Sequence, residues 1–340
     1  MAAALDKVGA PKGNDAGRGP REPVVAMLSY AIRRILGAIP TLFVIVTLAF
    51  FMMRVAPGGP FDGERRLPPE IEKNIAAAYN LDKPLYEQYG IYLGRLLQGD
   101  FGPSFKSKDF TVTELIASGL PVSLRLGLSA IAAAFLIGTT LGIFAALHQN
   151  RTADYSAMTI AMVGITIPTF VTAPLLTLFF GVYGVNLFGY EISLPVGGWD
   201  GGKIENMILP VTVLALPQIA IISRLVRGSM VEVLRSNYVR TARAKGVPSY
   251  LVVVRHALRS GLLPLVSYLG PAIAALATGS LVVEQIFGLP GIGRYFIQGA
   301  LNRDYTLVLG VVIFYASFII VLNMVADILY RVLDPRVRYD

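Results

Sequence analysis

Residue types that perform chemistry in proteins are scarce and scattered in this 340-residue sequence. It contains no cysteine, and its two histidines, His148 and His256, lie far apart along the chain. Thiolate metal sites, disulfides and histidine clusters are therefore excluded. The sequence also lacks the GxxxxGK[ST] phosphate loop and the GxSxG and HExxH patterns. We predict no catalytic residue, no bound metal and no cofactor.

The densest cluster of functional groups is a basic loop, defined here as Arg224 to Ser260. It holds eight Lys and Arg residues against one acid, Glu232. Apolar and basic residues mix at near-helical spacing from Met230 to Lys245. Gly246-Val247-Pro248 then ends the helix, because glycine past a helix end, followed by proline, is a stop signal. The pattern predicts a short helix, a tight turn and a second helix from Ser249 onward.

Two interpretations fit the chemistry of the basic loop. A basic amphipathic helix can rest on anionic lipid. Alternatively, the small residues Ala242, Ala244 and Gly246 would let the turn enter a cleft on a partner protein. The residue pattern alone leaves both interpretations open.

The composition indicates which elements position this loop. The chain is 54% hydrophobic and only 15% charged, whereas a soluble domain carries about 25% charged residues. Its uncharged runs are long enough to cross a bilayer, which takes about 20 apolar residues. We therefore predict an all-α integral membrane protein with six transmembrane helices, in the runs Ile35 to Met53, Leu126 to Leu147, Tyr155 to Val182, Asn206 to Ser223, Gly261 to Val283 and Tyr305 to Ala326.

Two of these predicted spans have irregular sequences. The third run continues without charge to Tyr190, and we end its helix where Gly181 and Gly184 begin to interrupt it. The fourth carries Pro210 and Pro217. Proline inside a span is tolerated beside a water-filled pathway or where neighbouring helices satisfy the freed carbonyls. Either a pathway or a packing kink explains these two prolines.

The Lys and Arg residues predict the orientation of the chain. Placing both termini in the cytoplasm puts 18 of them in cytoplasmic segments and only three in the two short loops of the other side. Residues 1–26 have the composition of a disordered cytoplasmic tail, residues 27–55 form the first transmembrane helix, and 336–340 form a cytoplasmic C-terminus. The net charge of +8 follows this pattern, which argues against nucleic-acid binding.

Residues 56–117 form a second polar segment, which we call the 56–117 loop and place outside the cytoplasm. Its sequence predicts short helices from Pro69 to Tyr79 and from Leu85 to Leu97, followed by a turn at Gly99 to Gly102. Acids and aromatics on such a segment suit contact with another protein. The alternative is that it only covers the helix bundle, residues 118–335.

Charged residues are nearly absent from the predicted spans, which argues against a proton-coupled pump. Glu284 and Asp327 fall at span ends. We expect a solvated or capping charge at each of these two positions.

The sequence closely resembles the permease subunits of ABC importers, and most of all the peptide and nickel permease family. The resemblance rests on YVRTARAKG at 238–246 and RHALRSGLLP at 255–264. Four further segments occur in the order typical of that family: RVAPGGPF, GITIPTF, EQIFGLPGIGRYFIQGALNRDY and DPRVRY. The match covers the chain after its tail. It implies the ABC importer type I permease fold.

The resemblance implies that the basic loop is the coupling element that sits in a groove of the ATPase subunit. The residues that it assigns to coupling are Arg240, Thr241, Ala242, Arg243, Ala244, Lys245, Gly246, Val247 and Pro248, with Leu263 and Pro264 closing the motif. Two features depart from the general pattern. Arg240 stands where the motif has an acid, and Leu263-Pro264 lies further from Gly246 than usual.

The resemblance also implies the partners and the activity. The expected partners are a second homologous but non-identical permease subunit, two cytoplasmic ATP-binding subunits, an extracytoplasmic solute-binding protein and the lipid bilayer of the inner membrane. Alternating access for di- or oligopeptides is the implied mechanism, with nickel chelates or oligosaccharides as alternative solutes. A channel or carrier that needs no ATPase, and a membrane-anchored scaffold, are the competing function classes.

Overall fold

The computed structural model describes residues 22–55, 79–107, 109–187 and 190–333, and the statements below refer to these residues. The two strands, Val185–Leu187 and Tyr190–Ile192, form a small antiparallel sheet in which Val185 pairs with Ile192. The remaining elements are helical: α1 (Glu22–Val55), α2 (Leu85–Leu96), α3 (Val112–Leu147), α4 (Thr152–Thr166), α5 (Thr169–Leu176), α6 (Ile204–Leu234), α7 (Asn237–Ala244), α8 (Ser249–Leu251), α9 (Leu258–Gly261), α10 (Leu263–Ala277), α11 (Leu281–Ile286), α12 (Ile292–Leu301) and α13 (Tyr305–Leu333).

Five stretches of the described chain are long and apolar enough to cross a membrane as single spans: Ile32–Val55, Val112–Leu147, Ile204–Leu234, Leu263–Ile286 and Tyr305–Ile328. The remaining predicted span is not one continuous helix. It consists of α4 and of α5 with its π-helical continuation Thr177–Tyr183, bent by 103°. The number of spans is therefore six when this bent pair is counted as one.

The bend lies at Ile167-Pro168, where the prediction of an uninterrupted helix is wrong. Ile167 is extended, with φ −95° and ψ 122°. Steric conflict with the proline ring disfavours helical backbone in the preceding residue, and proline itself has no N–H to donate. Pro168 stands within GITIPTF, which was interpreted above only as a family feature and not as a helix stop.

The core of the bundle is centred on α6, which packs between α3 and α4. Gly138 and Gly142 of α3 lie four residues apart, directly against Ile222 and Val226 of α6. Any side chain at either glycine would collide with α6, so this small-xxx-small pair sets a close helix contact. α6 runs unbroken through Pro210 and Pro217, and Pro210 is buried in the core, which favours packing as the explanation for that proline.

The 56–117 loop is described from residue 79 onward. The predicted helix Leu85 to Leu97 is confirmed as α2, whereas most of the predicted helix Pro69 to Tyr79 lies outside the described residues. α3 begins at Val112, much earlier than the predicted span start at Leu126. Thr111 and Glu114 form a capping box there, in which each side chain accepts from the other's backbone N–H. The boundary at 117/118 therefore falls inside a helix.

Candidate functional site

The basic loop folds as the predicted helix, turn and helix. α6 ends at Leu234, and the extended backbone of Ser236 separates it from α7, a break that the sequence analysis missed. The second helical arm comprises α8, the π-helical turn Val252–Ala257 and α9. α7 and this arm form a hairpin that projects from the end of the bundle.

The turn between the two arms, Lys245–Pro248, is a Schellman motif, named here the Gly246 turn. The Gly246 N–H donates to the Arg243 carbonyl at 2.9 Å, and the Val247 N–H donates to the Ala242 carbonyl at 3.2 Å. Gly246 has φ +78°, while the space where its Cβ would lie is empty. Glycine is therefore needed here for its backbone conformation.

The hairpin has its own small apolar core. Val239, Ala242 and Val252 are buried there, and Val247 packs against them. The expectation that Ala242 helps the turn enter a partner's cleft is therefore wrong. The Ala242 side chain faces the opposite arm of its own hairpin, because helix periodicity places it on the same face as Val239.

The outer surface of the hairpin carries the other residues assigned to coupling. Those exposed to solvent are Arg240, Thr241, Arg243, Ala244, Lys245, Gly246 and Pro248. Val247 is half-buried. The exposed set combines three cations with small residues on a rigid turn, which suits binding to a protein or an anionic surface rather than catalysis.

The hairpin is joined tightly to the bundle through Gly261 and Met230. Any Cβ on Gly261, the last residue of α9, would collide with the Met230 thioether of α6. Met230 and Ala257 are fully buried, and both belong to the main core. A displacement of the hairpin is thereby opposed by direct packing on the central helix. The closing residues Leu263 and Pro264 lie in the first turn of α10 and are exposed.

An ion pair beside the hairpin was not found by sequence reasoning. The Arg227 guanidinium of α6 donates to both carboxylate oxygens of Asp154 at 2.6 Å, through Nε and Nη2. Asp154, near the start of α4, also accepts from the Asn150 N–H at 2.9 Å, and its side chain is only 1% exposed. The sequence gives little indication of this pair, because Asp154 is a single acid in a short predicted loop and Arg227 lies 73 positions away.

We expected a solvated or a capping charge at Glu284. The residue is completely buried, so the solvated alternative is wrong, whereas the capping alternative is confirmed by a backbone N–H in the first turn of α12. Its carboxylate accepts from Ser123 Oγ at 2.8 Å and from the Gly293 N–H at 2.8 Å. Ser123 Oγ in turn accepts from the Ile292 N–H at 3.0 Å. This Glu284 cluster fastens α3, α11 and the start of α12 together. Asp327, by contrast, forms a partly exposed ion pair with Arg34 at 2.6 Å.

Asp304 ties the 56–117 loop to the bundle. Its buried carboxylate accepts from Ser104 Oγ and from the Phe105 N–H, and it also caps α13 by accepting from the Leu307 N–H at 3.1 Å. α2 packs through Tyr92 against α1 and α13. Burial raises the pKa of the Tyr92 hydroxyl, and the negative charge of Asp100 raises it further. The described part of the loop is thus a fixed part of the fold, with the opposite face of α2 open to solvent.

Comparison with known proteins covers nearly the whole chain. Residues 138–339 match the family described as binding-protein-dependent transport system inner membrane component, and residues 27–127 match the corresponding N-terminal family. The oligopeptide transport system permease proteins OppB of Haemophilus influenzae and Escherichia coli are 51% and 52% identical, over 92% of this chain and 100% of theirs. The dipeptide transport system permease protein DppB of Bacillus subtilis is 42% identical, over 92% of this chain and 98% of its own.

Proposed function

Because this chain belongs to the family of binding-protein-dependent transport system inner membrane components, we propose that it is the permease subunit of an ATP-driven peptide importer. It is a multi-pass inner membrane protein, and ATP hydrolysis lies in partner subunits. The observation that carries the peptide assignment is the full-length match to oligopeptide permeases at 51–52% identity. The match spans the bundle, the 56–117 loop and the basic loop.

The exposed face of the hairpin is the docking surface for the ATPase. Arg240, Arg243 and Lys245 supply charge that a polar groove can pair, while Ala244 and Gly246 permit close approach. Ala242 contributes from inside, because it holds the two arms together. Movement of the ATPase would pass to the bundle through the contact between Gly261 and Met230, as a rigid-body shift of packed helices.

The orientation that fits this role places both termini and the basic loop in the cytoplasm. The distribution of Lys and Arg supports it. The 56–117 loop then lies on the side that receives the solute-binding protein. Tyr86 and Leu97, at the two ends of α2, are 73% and 90% exposed and suit such a contact.

Six spans form half of a pathway, so a second permease subunit completes it. We expect this partner to be related to the chain but not identical to it, as the resemblance to peptide permeases implies. The two bundles would alternate between inward- and outward-facing arrangements. The greater identity to OppB than to DppB favours oligopeptides over dipeptides as the solute.

Uptake by the complete transporter tests this proposal. The chain is reconstituted into proteoliposomes with its binding protein, partner permease and ATPase subunits, and labelled di-, tri- and pentapeptides are supplied with internal ATP. We expect ATP-dependent import of the tri- and pentapeptides only when this chain is present. Import that persists without ATPase subunits would indicate a channel or carrier and contradict the proposal.

A further inference from the structure

A cleft of about 410 Å³ opens between α1 and α13, at the end of the bundle that carries the start of α1. Consecutive turns of α1 and two residues of α13 line the cleft. The lining residues are Arg33, Arg34, Gly37, Ala38 and Thr41 of α1, with Ile320 and Asn323 of α13. The apolar span of α1 begins at Ile32. Polar groups therefore gather at the edge of the membrane-crossing surface, at the depth where lipid headgroups lie.

The cleft contains two arginines, and among the described residues only one of them has an acidic partner. Arg34 pairs with Asp327 at 2.6 Å. Within the described part of the chain, Arg33 forms no ion pair and Asn323 forms no side-chain hydrogen bond. A guanidinium offers several donors arranged to match the oxygens of a phosphate, and an amide nitrogen adds another. The chemistry of the lining therefore suits an anion.

Gly37 keeps the cleft open. A Cβ built on this glycine would meet no atom within 4 Å, so glycine is not required there by contact with a neighbouring helix. Apolar side chains continue along both helices beyond the cleft. Phe43 and Leu48 of α1 are 54% and 58% exposed, and Ile319 of α13 is 37% exposed. A polar cleft continuous with a hydrophobic surface has the shape of an amphiphile site.

We propose that this cleft binds the phosphate headgroup of an anionic phospholipid, whose acyl chains lie along the exposed faces of α1 and α13. Arg33 binds the phosphate directly, Asn323 donates a hydrogen bond, and Arg34 is shared between the lipid and Asp327. Basic pockets between membrane-spanning helices bind anionic headgroups on this physical basis. The site is independent of the transported solute.

Native mass spectrometry of the purified full-length chain, titrated with phosphatidylglycerol or phosphatidylcholine, tests the site. We expect preferential retention of phosphatidylglycerol. Arg33→Gln should weaken the binding of phosphatidylglycerol about fivefold. One basic residue near an anionic membrane surface contributes about 1 kcal/mol, which corresponds to this factor. Gly37→Leu should weaken it as well, because the leucine fills the empty space. Arg151→Gln, which removes an exposed arginine just before α4, serves as the control and should bind like wild type.

The proposal would be overturned by equal retention of phosphatidylglycerol in wild type, Arg33→Gln and Gly37→Leu. Equal binding of phosphatidylcholine would also overturn it, because recognition of charge would then be absent. A matching loss in Arg151→Gln would show that only total charge matters, and it would also overturn the proposal. If Arg33→Gln instead lowers recovery of the partner permease with lipid retention unchanged, the cleft is a protein contact and the lipid assignment is wrong.

Discussion

Ser123 Oγ donates a 2.8 Å hydrogen bond to the carboxylate of Glu284, joining two residues that are 161 positions apart in the sequence. The same oxygen accepts from the Ile292 N–H, so one hydroxyl satisfies a buried acid and a buried backbone donor. Glu284 and Ser123 are both completely inaccessible to solvent. A buried polar group is costly unless every partner is present, which makes this contact a sensitive point of the fold.

Ser123→Ala should lower the free energy of unfolding by about 1–3 kcal/mol, because it leaves the Ile292 N–H and one Glu284 oxygen without partners. Thermal unfolding of the detergent-solubilised protein measures the loss. Ser118→Ala is the matched control on the same helix, since its partly exposed hydroxyl bonds the Leu115 carbonyl. That variant should change stability by less than about 0.5 kcal/mol. Equal melting temperatures for the two variants would contradict the structural importance of Ser123.

Gly246→Pro should insert normally and yet lose peptide uptake. Proline cannot adopt φ +78° and has no N–H to donate to the Arg243 carbonyl, so the turn must refold. Gly246→Asn should retain most uptake, because asparagine tolerates left-handed backbone. The measurement is ATP-dependent uptake at matched membrane levels, together with recovery of the ATPase subunits. Full uptake in the proline variant would rule out a coupling role for this turn.

Ala242→Leu and Ala244→Leu separate the inside of the hairpin from its outer face. Enlarging the buried Ala242 should destabilise the hairpin by about 1–3 kcal/mol through overpacking, seen as faster amide hydrogen exchange in residues 237–252. Enlarging the exposed Ala244 should leave exchange unchanged and weaken binding of the ATPase. If Ala242→Leu weakens ATPase binding without any change in exchange, Ala242 is a contact residue after all.

Asp154→Ala should destabilise the protein by about 1–3 kcal/mol, because it removes both hydrogen bonds of the Arg227 guanidinium, a group that water still reaches. The double variant with Arg227→Ala should lose less than the sum of the two single losses, as expected for residues in direct contact. Lys83 and Glu87, an exposed pair 3.9 Å apart, provide the comparison. Removing that pair should cost less than about 1 kcal/mol. Additive losses at Asp154 and Arg227 would contradict a direct interaction.

The double variant Tyr86→Ala/Leu97→Ala should reduce the stimulation of ATP turnover by the solute-binding protein. Both side chains project from the solvent-facing side of α2, so their removal leaves the packing of Tyr92 intact. Tyr92→Ala, in contrast, should reduce stability first. ATPase activity of the reconstituted transporter, titrated with binding protein, measures the effect. Unchanged stimulation in the double variant would favour the interpretation of the 56–117 loop as a cover only.

Several features follow from local sequence. A run of apolar residues indicates a span wherever it lies in the chain, because the bilayer sets its length. Gly246-Val247-Pro248 predicts the turn in the same way, since backbone conformation depends on neighbouring residues. α2 was located to within one residue for this reason. Pro168 belongs to the same class of signal, and the bend at Ile167 could have been predicted from it.

Other features depend on tertiary structure alone. Whether Ala242 faces a partner or Val252 depends on how the two arms fold back on each other. Glu284 looks like a surface charge in sequence, and its burial depends on Ser123 and Gly293 arriving from other elements. The burial of the Asp154 carboxylate likewise depends on its pairing with Arg227, which belongs to another helix. A short-range pattern identifies a helix and its ends, but burial and pairing are set by contacts between residues that are distant in sequence, which only the packed bundle decides.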